Sequence, residues 1–312
     1  MKTLPTVRAA QLAQAQSSQP TWLVEGLWSA QAVGIIGGEP KCGKSFLALD
    51  LAVASGTPCL RHFPTPRCGR VLLFAAEDAA HIVRQRLEGI AAAAAVDFQS
   101  LEVHLIIVPT LRLDRHEHQA ALAATVGDLK PKLLVLDPLV RLHSIDENVA
   151  AEVAPLLAYL RTLQRCHHTA VALVHHARKG AAHERGGQAL RGSSDLHAWG
   201  DSNLYLRRHG QNLLLSSEHR AAPGLDRLPL ALKINPPALA LEGITPPPVA
   251  EAGRPSPLDR IEQLLGQATT ALSQRQLREQ ARMRTCHVVD ALAKLTESGR
   301  VIRSAEGYRL NR

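Results

Sequence analysis

Gly38-Glu-Pro-Lys-Cys-Gly43-Lys44-Ser45 is the stretch of sequence that decides the fold, because it satisfies the pattern Gly-x-x-x-x-Gly-Lys-Ser/Thr in full. The apolar run 32–36 comes just before it and ends at glycines, as a buried parallel strand does. Residues 45–54 follow with apolar side chains at helical spacing and stop at Ser55-Gly56. A strand, a glycine loop and a helix in this order predict a phosphate-binding loop, and they disfavour the alternative of a glycine turn with a chance lysine.

Apolar strands and helical segments alternate downstream of this loop. The strand segments are 71–76, 103–108, 133–137 and 170–174, and the helical segments are 78–95, 119–129 and 149–165. This alternation is typical of a parallel sheet sandwiched by helices, so we predict an α/β fold. Shorter apolar runs at 203–207, 212–216 and 230–234 are separated by polar or Gly/Pro turns, and they predict antiparallel strands that extend the sheet.

Proline is dense in residues 236–257, where the segments TPPP and RPSP occur. Such a composition disfavours both helix and inner strand, so we predict an extended connector there. The connector would separate a sheet domain at 22–235, preceded by a polar tail at 1–21, from a small domain at 258–312. Three short helical segments and a hairpin pattern predict that this small domain is a winged helix-turn-helix.

The composition excludes several classes of protein. The 312 residues are 46% hydrophobic, yet no uninterrupted apolar run is long enough for a membrane-spanning helix. The N-terminal segment lacks a secretory signal, and the five cysteines are odd in number without C-x-x-C spacing, so we expect a cytoplasmic protein with free thiols. The net charge of +8 is compatible with a polyanionic partner and also with a solvated basic face.

The loop residues are expected to bind a nucleoside triphosphate together with its metal. They are Gly38, Glu39, Pro40, Lys41, Cys42, Gly43, Lys44 and Ser45. The glycines let backbone N–H groups approach the phosphates closely at the start of a helix. Lys44 is predicted to reach the β- and γ-phosphates, and the Ser45 hydroxyl is predicted to coordinate Mg²⁺.

Acidic residues end two of the predicted strands at the sheet edge where the loop lies. Asp137 ends the run 133–137 and is the candidate second magnesium ligand, although an aspartate after a strand can also simply begin a turn. Glu77 follows the strand at 71–76 and is the candidate general base for the attacking water. Asp78 is expected to cap the next helix, and the alternative is that both acids are helix-start residues.

Two histidines, His175 and His176, leave the strand at 170–174 at the same edge. Because side chains alternate along a strand, only one imidazole should face the nucleotide, and we choose His176 as the candidate γ-phosphate sensor. The same alternation argues against a metal site made by the pair. The alternative is that both histidines are ordinary polar residues at a strand end.

Six segments occur in the order found in RecA-like ATPases of plasmid replication: WLVEGL, GGEPKCGKS, VLLFAAEDAAHIVRQRL, KLLVLDPLVRLHSIDEN, VALVHHARKG and RGSSDL. Over residues 22–235 the chain resembles the RepA-type hexameric helicases and, more distantly, DnaB. The resemblance implies a RecA-like fold, ATP and Mg²⁺ as ligands, a homo-oligomeric ring and work on single-stranded or duplex DNA. It also implies phosphate, magnesium, base, metal and sensor positions for Lys44, Ser45, Glu77, Asp137 and His176, respectively.

The chain departs from this family pattern in two places. DnaB-like helicases carry a Lys-x-Arg element that reaches into the neighbouring subunit's site, whereas the segment 217–220 (SEHR) has glutamate in place of the lysine. Arg220 is the candidate trans-acting arginine; Arg191, Arg207 and Arg208 are the alternatives, and each could instead be a surface arginine. The predicted winged helix is the second departure, because RepA-type helicases as a group end near the ATPase core.

Basic side chains crowd the predicted third helix and wing of the small domain and predict phosphate contacts with DNA, although winged helices also bind proteins. They are Arg282, Arg284, His287, Lys294, Arg300, Arg303 and Arg309. The resemblance to RepA-type helicases, taken together with these residues, implies an ATP-driven DNA helicase of a plasmid or mobile element. The alternatives are a DNA-binding regulator that ATP switches without unwinding, and a recombinase-like filament former.

Overall fold

The computed structural model describes residues 4, 6–11, 21–56, 64–176, 194–210, 212–243, 257–268, 270–281, 285–304 and 307–311. The chain divides into two compact units, Met1–Ile244 and Thr245–Arg312. In the described part of the chain, no helix combines the length and the apolar character that crossing a bilayer needs.

A large mixed sheet forms the centre of the first unit. Its strands are β3 (Val33–Gly38), β4 (Val71–Ala75), β5 (Val103–Leu105), β6 (Leu133–Asp137), β7 (Ala170–His176), β8 (Ser202–His209), β9 (Asn212–His219), β10 (Leu228–Asn235) and β11 (Ala238–Gly243), after a separate small hairpin of β1 (Trp22–Val24) and β2 (Trp28–Ser29). Their order across the sheet is β11-β10-β9-β8-β3-β7-β6-β4-β5. The strands from β8 to β5 run parallel, and β9, β10 and β11 add an antiparallel extension at one side.

Helices cover both faces of this sheet. They are α1 (Lys44–Gly56), α2 (Ala80–Ala93), α3 (His116–Leu129), α4 (Ala150–His167) and α5 (Ser194–Trp199). Buried side chains of α1 and α2 form one hydrophobic core with one face of the strands, and those of α3, α4 and α5 form a second core on the other face. Because the inner strands are covered twice, they are apolar throughout, which is why they stand out in the sequence. The predicted α/β fold with an antiparallel extension is confirmed.

The structure differs from the sequence-based prediction in the connector. Residues 238–243 form β11, which pairs with β10 from Asn235↔Ala238 to Leu230↔Gly243, so the sheet continues past residue 235. Pro236 and Pro237 occupy the hairpin turn, a position in which a sheet tolerates proline. The strand β11 itself contains no proline. β5 is also shorter than predicted, and β1, β2 and α5 were not predicted. Residues 244–256 of the predicted connector lie outside the described residues.

The second unit contains α6 (Pro257–Gln267), α7 (Gln274–Ala281), α8 (Thr285–Glu297), β12 (Val301–Ser304) and β13 (Gly307–Leu310). Fully buried side chains from each of the three helices, Ile261, Leu277 and Leu295, pack together in its core. Ser273 caps α7, because its hydroxyl accepts a hydrogen bond from the Gln276 amide at 3.3 Å while the Gln276 side chain accepts one from the Ser273 amide at 2.8 Å. The antiparallel pair β12–β13 follows α8, and residues 305 and 306 of its predicted turn lie outside the described residues.

Candidate functional site

The loop between β3 and α1 is a backbone cradle that depends on its glycines. A Cβ atom on Gly38 would lie 2.2 Å from the Leu206 carbonyl oxygen on β8 and 2.8 Å from the Cys42 Sγ, so a larger residue does not fit there. Gly43 has a φ of +92°, a conformation that residues with a Cβ rarely adopt. The chain therefore turns tightly around the start of α1, which leaves the first N–H groups of the helix available for an anion.

Lys44 lies inside this cradle and is 4% exposed. Its Nζ donates hydrogen bonds to the carbonyl oxygens of Gly38 at 3.0 Å and Glu39 at 2.7 Å, so its ammonium group lies across the loop. Burial lowers the pKa of Lys44, while the negative charges of Asp137 and Glu39 act in the opposite direction. The oxygens of an incoming phosphate can replace these two carbonyl oxygens as hydrogen-bond acceptors of the buried ammonium group.

Asp137 ends β6 beside the first turn of α1 and is 8% exposed. The Ser45 side chain donates a hydrogen bond to its carboxylate. Burial raises the pKa of Asp137 to about 6; the Ser45 hydrogen bond and Lys44 lower it, while Asp78 and Glu77 raise it further. A hydroxyl and a carboxylate brought together in this way are hard oxygen donors, which suits Mg²⁺.

Glu77 and Asp78 follow β4, whose Ala75 is paired with Asp137 of the neighbouring strand. The Glu77 carboxylate accepts a hydrogen bond at 2.8 Å from Nε of Arg141, in the short turn after β6. Asp78 forms an ion pair with Arg86 of α2. The sequence alone predicts no role for either arginine, because only the fold brings them to the acids.

These side chains converge on one cleft of about 590 Å³. Its lining includes residues of the loop, among them Ser45, and also Glu77, Asp137 and His176. The volume lies within the range of about 300–1,000 Å³ that is typical of small-molecule sites. The predicted phosphate, base, metal and sensor positions therefore meet in one cavity at the carboxyl ends of the parallel strands.

A family model described as AAA domain matches residues 2–182, which is more than half of the chain. The chain belongs to the AAA domain family. Among solved structures, this AAA domain protein is similar to the RadB recombinase, with 16% sequence identity, coverage of 65% of this chain and 88% of that chain, and a TM-score of 0.49.

The two histidines of this AAA domain lie in different surroundings. His176 is paired in register with Gly38 at the start of the loop and lines the cleft. Burial lowers its pKa, and the nearby positive charge of Lys44 lowers it further, while the negative charges of Glu77 and Glu147 act in the opposite direction. Its Nδ1 has no hydrogen-bond partner in the described part of the chain. His175 is 1% exposed, with Nδ1 3.9 Å from a carboxylate oxygen of Glu147.

Three of the candidate trans-acting arginines, Arg207, Arg208 and Arg220, are not among the residues that line this cleft of the AAA domain. Arg220 donates to the Ala198 carbonyl at 2.9 Å, and its Nε lies 3.4 Å from Asp201, so it is bound to its own subunit. Arg208 donates to the carbonyl of Lys41, inside the phosphate-binding loop, at 2.9 Å. Arg207 lies beside it on β8, and Arg191 falls outside the described residues.

Proposed function

We propose that the chain is a Mg²⁺-dependent ATPase of the RecA-like type, and that its catalytic residues are Lys44, Glu77, Asp137 and His176. One observation supports this most strongly: the phosphate-binding loop, three carboxylates and a histidine line the same cleft. Membership of the AAA domain family supports nucleotide binding independently.

The triphosphate would lie against the loop, with its β- and γ-phosphates accepting hydrogen bonds from backbone N–H groups and from Lys44. Lys44 would exchange its bonds to the Gly38 and Glu39 carbonyls for the phosphate oxygens. Ser45 and Asp137 would hold the metal. Mg²⁺ at this position would neutralise the charge that develops on the phosphates during transfer.

Glu77 is the proposed base because it follows β4 at the rim of the cleft, where the attacking water must approach. Its hydrogen bond with Arg141 fixes the position of the carboxylate. His176, paired in register with Gly38, can donate one hydrogen bond to the γ-phosphate or to the water and so report the state of the nucleotide. This geometry fits hydrolysis by positioning and electrostatics, with no covalent intermediate on the protein.

The first test is phosphate release from Mg-ATP by the full chain and by Lys44→Ala. We expect a loss of about 100-fold or more, because one preorganised charge is removed from the transition state. Lys132→Ala is the matched control, since this lysine is exposed and lies outside the cleft. Equal hydrolysis by Lys44→Ala and the control would refute the proposed site.

We further propose that hydrolysis is coupled to work on DNA in a homo-oligomeric ring, as in a plasmid or mobile-element helicase, with the second unit as a winged helix that contacts DNA. Support comes from the resemblance of the motifs, from three helices followed by a β hairpin, and from basic side chains on that hairpin. Arg303 is exposed and lies 5.9 Å from the ring centroid of the half-buried Tyr308, so its guanidinium group can contact a phosphate backbone. Arg300 is a weaker candidate, because Glu262 neutralises it at 2.9 Å.

The second test measures forked-duplex unwinding, duplex binding at several salt concentrations, and mass with a non-hydrolysable ATP analogue. A ring helicase requires a nucleotide-dependent oligomer and unwinding that Lys44→Ala abolishes. Phosphate contacts by the second unit require an affinity that falls steeply with salt, by about 0.9 logarithmic units per contact and per tenfold salt. A protein that stays monomeric with nucleotide and DNA would refute the ring.

One observation favours an alternative, an ATP-switched DNA-binding protein that does not unwind. Glu218, which replaces the lysine of the trans element, bonds within its own subunit to His197 at 2.8 Å and to the Tyr205 hydroxyl at 3.2 Å. Arg220 is bound to its own subunit as well. ATP-dependent duplex binding without any unwinding would support this alternative.

A further inference from the structure

The hairpin of β10 and β11 presents large aliphatic side chains to solvent. Leu232 is 46% exposed and Ile234 is 64% exposed, and both lie on the same face of β10 because they are two residues apart. Leu239 of β11 is paired directly with Ile234, so the three side chains form a continuous patch. Exposed isoleucine and leucine side chains grouped in this way are typical of a surface that binds a ligand or another protein.

The same three side chains line the cleft that contains Lys44, Ser45 and Asp137. One wall of this cavity is therefore charged and polar, and another is aliphatic. A nucleoside triphosphate has the matching division, with charged phosphates at one end and a flat, weakly polar base at the other. We propose that the aliphatic patch Leu232–Ile234–Leu239 is the wall against which the nucleobase packs, an inference that rests on the proposed function.

Gly89, within α2, allows the hairpin to lie close to the cleft. A Cβ atom at this position would lie 2.8 Å from the Leu239 Cβ and 3.3 Å from the Pro237 carbonyl oxygen. Glycine is a poor helix former, and here its missing side chain makes room for the hairpin turn. The helix that carries Arg86 into the cleft thus also supports the aliphatic wall, so the wall and the polar groups are held by one element.

An aliphatic wall binds a base through contact area and forms no hydrogen bonds with its edge. It therefore raises affinity for any purine nucleotide and discriminates little between adenine and guanine, because discrimination needs polar groups that would be left unpaired by the wrong base. The wall contributes nothing to the affinity for inorganic tripolyphosphate, which has the same phosphates and no base. Comparing the affinities for the two ligands therefore distinguishes the contribution of the aliphatic wall from that of the phosphate-binding loop.

The test compares binding of a non-hydrolysable ATP analogue with binding of tripolyphosphate, both with Mg²⁺, by calorimetry on the full chain. In the double variant Leu232→Ser with Ile234→Ser, we expect the analogue to bind about tenfold more weakly and tripolyphosphate to bind within twofold of the unsubstituted protein. The matching GTP analogue should lose a similar factor. Ile107→Ser is the control, because Ile107 is 84% exposed and lies outside the cleft.

A second variant, Gly89→Val, tests the support of the wall without changing the patch itself. It should displace the hairpin and give the same selective loss, with tripolyphosphate binding kept. Unchanged affinity for the analogue in the double variant would overturn the proposal, and so would an equal loss for both ligands. A change of oligomer mass with unchanged analogue affinity would overturn it too, since the patch would then bind a second copy of the chain.

Two outcomes with the unsubstituted protein keep this inference separate from the proposed function. If neither the analogue nor tripolyphosphate binds, the proposed function fails. If both bind with equal affinity, the phosphate-binding loop stands and only the aliphatic wall is refuted.

Discussion

Asp137→Asn should make the magnesium-free protein more stable while it removes a proposed metal ligand. Burial raises the pKa of this carboxyl from 3.8 to about 6, so its charged form is disfavoured in the folded protein. A shift of about two pKa units at about 1.4 kcal/mol each corresponds to roughly 3 kcal/mol. The side chain is almost fully buried, so solvent screening reduces this figure little. Asparagine has no charge to bury and keeps an oxygen that can accept the Ser45 hydrogen bond.

The size of the effect depends on pH. Because the folded pKa is above the unfolded value, the folded state binds more protons between pH 3.8 and about 6, and stability falls as pH rises through this window. The advantage of Asp137→Asn should therefore be absent near pH 3.8 and complete above about pH 6. At pH 7.5 it should raise the midpoint of thermal unfolding by roughly 6–12 °C, at 2–4 °C per kcal/mol for a unit of this size.

The assay is chemical and thermal denaturation without magnesium at several pH values, and then with Mg²⁺ and a non-hydrolysable ATP analogue. The unsubstituted protein should gain stability from the ligands, and the variant should gain little, because it lacks the carboxylate. Asp226→Asn is the matched control, since this aspartate is 90% exposed. A variant less stable than the unsubstituted protein at pH 7.5 without magnesium would show that the Asp137 charge is not disfavoured.

Three further substitutions probe separate parts of the site. Glu77→Gln should keep Mg-ATP binding and lower turnover by about 100-fold or more, measured as single-turnover hydrolysis, because the base is lost; unchanged turnover would exclude Glu77. Arg141→Gln should change the free energy of unfolding by less than about 1 kcal/mol, since the side chains of this ion pair are 61% and 47% exposed, and a larger loss in urea titrations would mean that the pair is structural. Gly38→Ala should abolish nucleotide binding, because its Cβ would lie 2.2 Å from the Leu206 oxygen. Gly243→Ala, whose Cβ has no atom of the described residues within 4 Å, should bind normally in the same calorimetric titration.

The sequence predicted the centre of the fold well because the inner strands are apolar throughout and the loop has a fixed spacing. β6 has the predicted bounds, Leu133–Asp137, and the carboxylate that ends it lies in the cleft as expected. β11 was missed because its proline-rich surroundings suggested a connector. The prolines that suggested this, Pro236 and Pro237, lie in the turn beside the strand.

The electrostatic partners of the acids could not be predicted from the sequence. Arg141 is 64 residues from Glu77 along the chain, and their contact exists only because β4 and β6 are neighbours in the sheet. The role of Gly89 was equally hidden, since a glycine inside a helical pattern carries no local sign of the hairpin that packs on it. Contacts of this kind depend on strand order, which the periodicity of one sequence does not contain.

Three carboxylates follow the ends of β4 and β6, and their partners divide them into two classes. Glu77 and Asp78 each have an arginine, Arg141 and Arg86, while the hydrogen-bond partner of Asp137 is the neutral hydroxyl of Ser45. Burial raises the pKa of this inner carboxylate, although Lys44 lowers it, so its charged form is disfavoured. A divalent cation placed against Asp137 would relieve this cost, whereas one placed against the outer acids would compete with guanidinium groups that are already bound. This difference supports the proposed metal position beside Asp137 and Ser45.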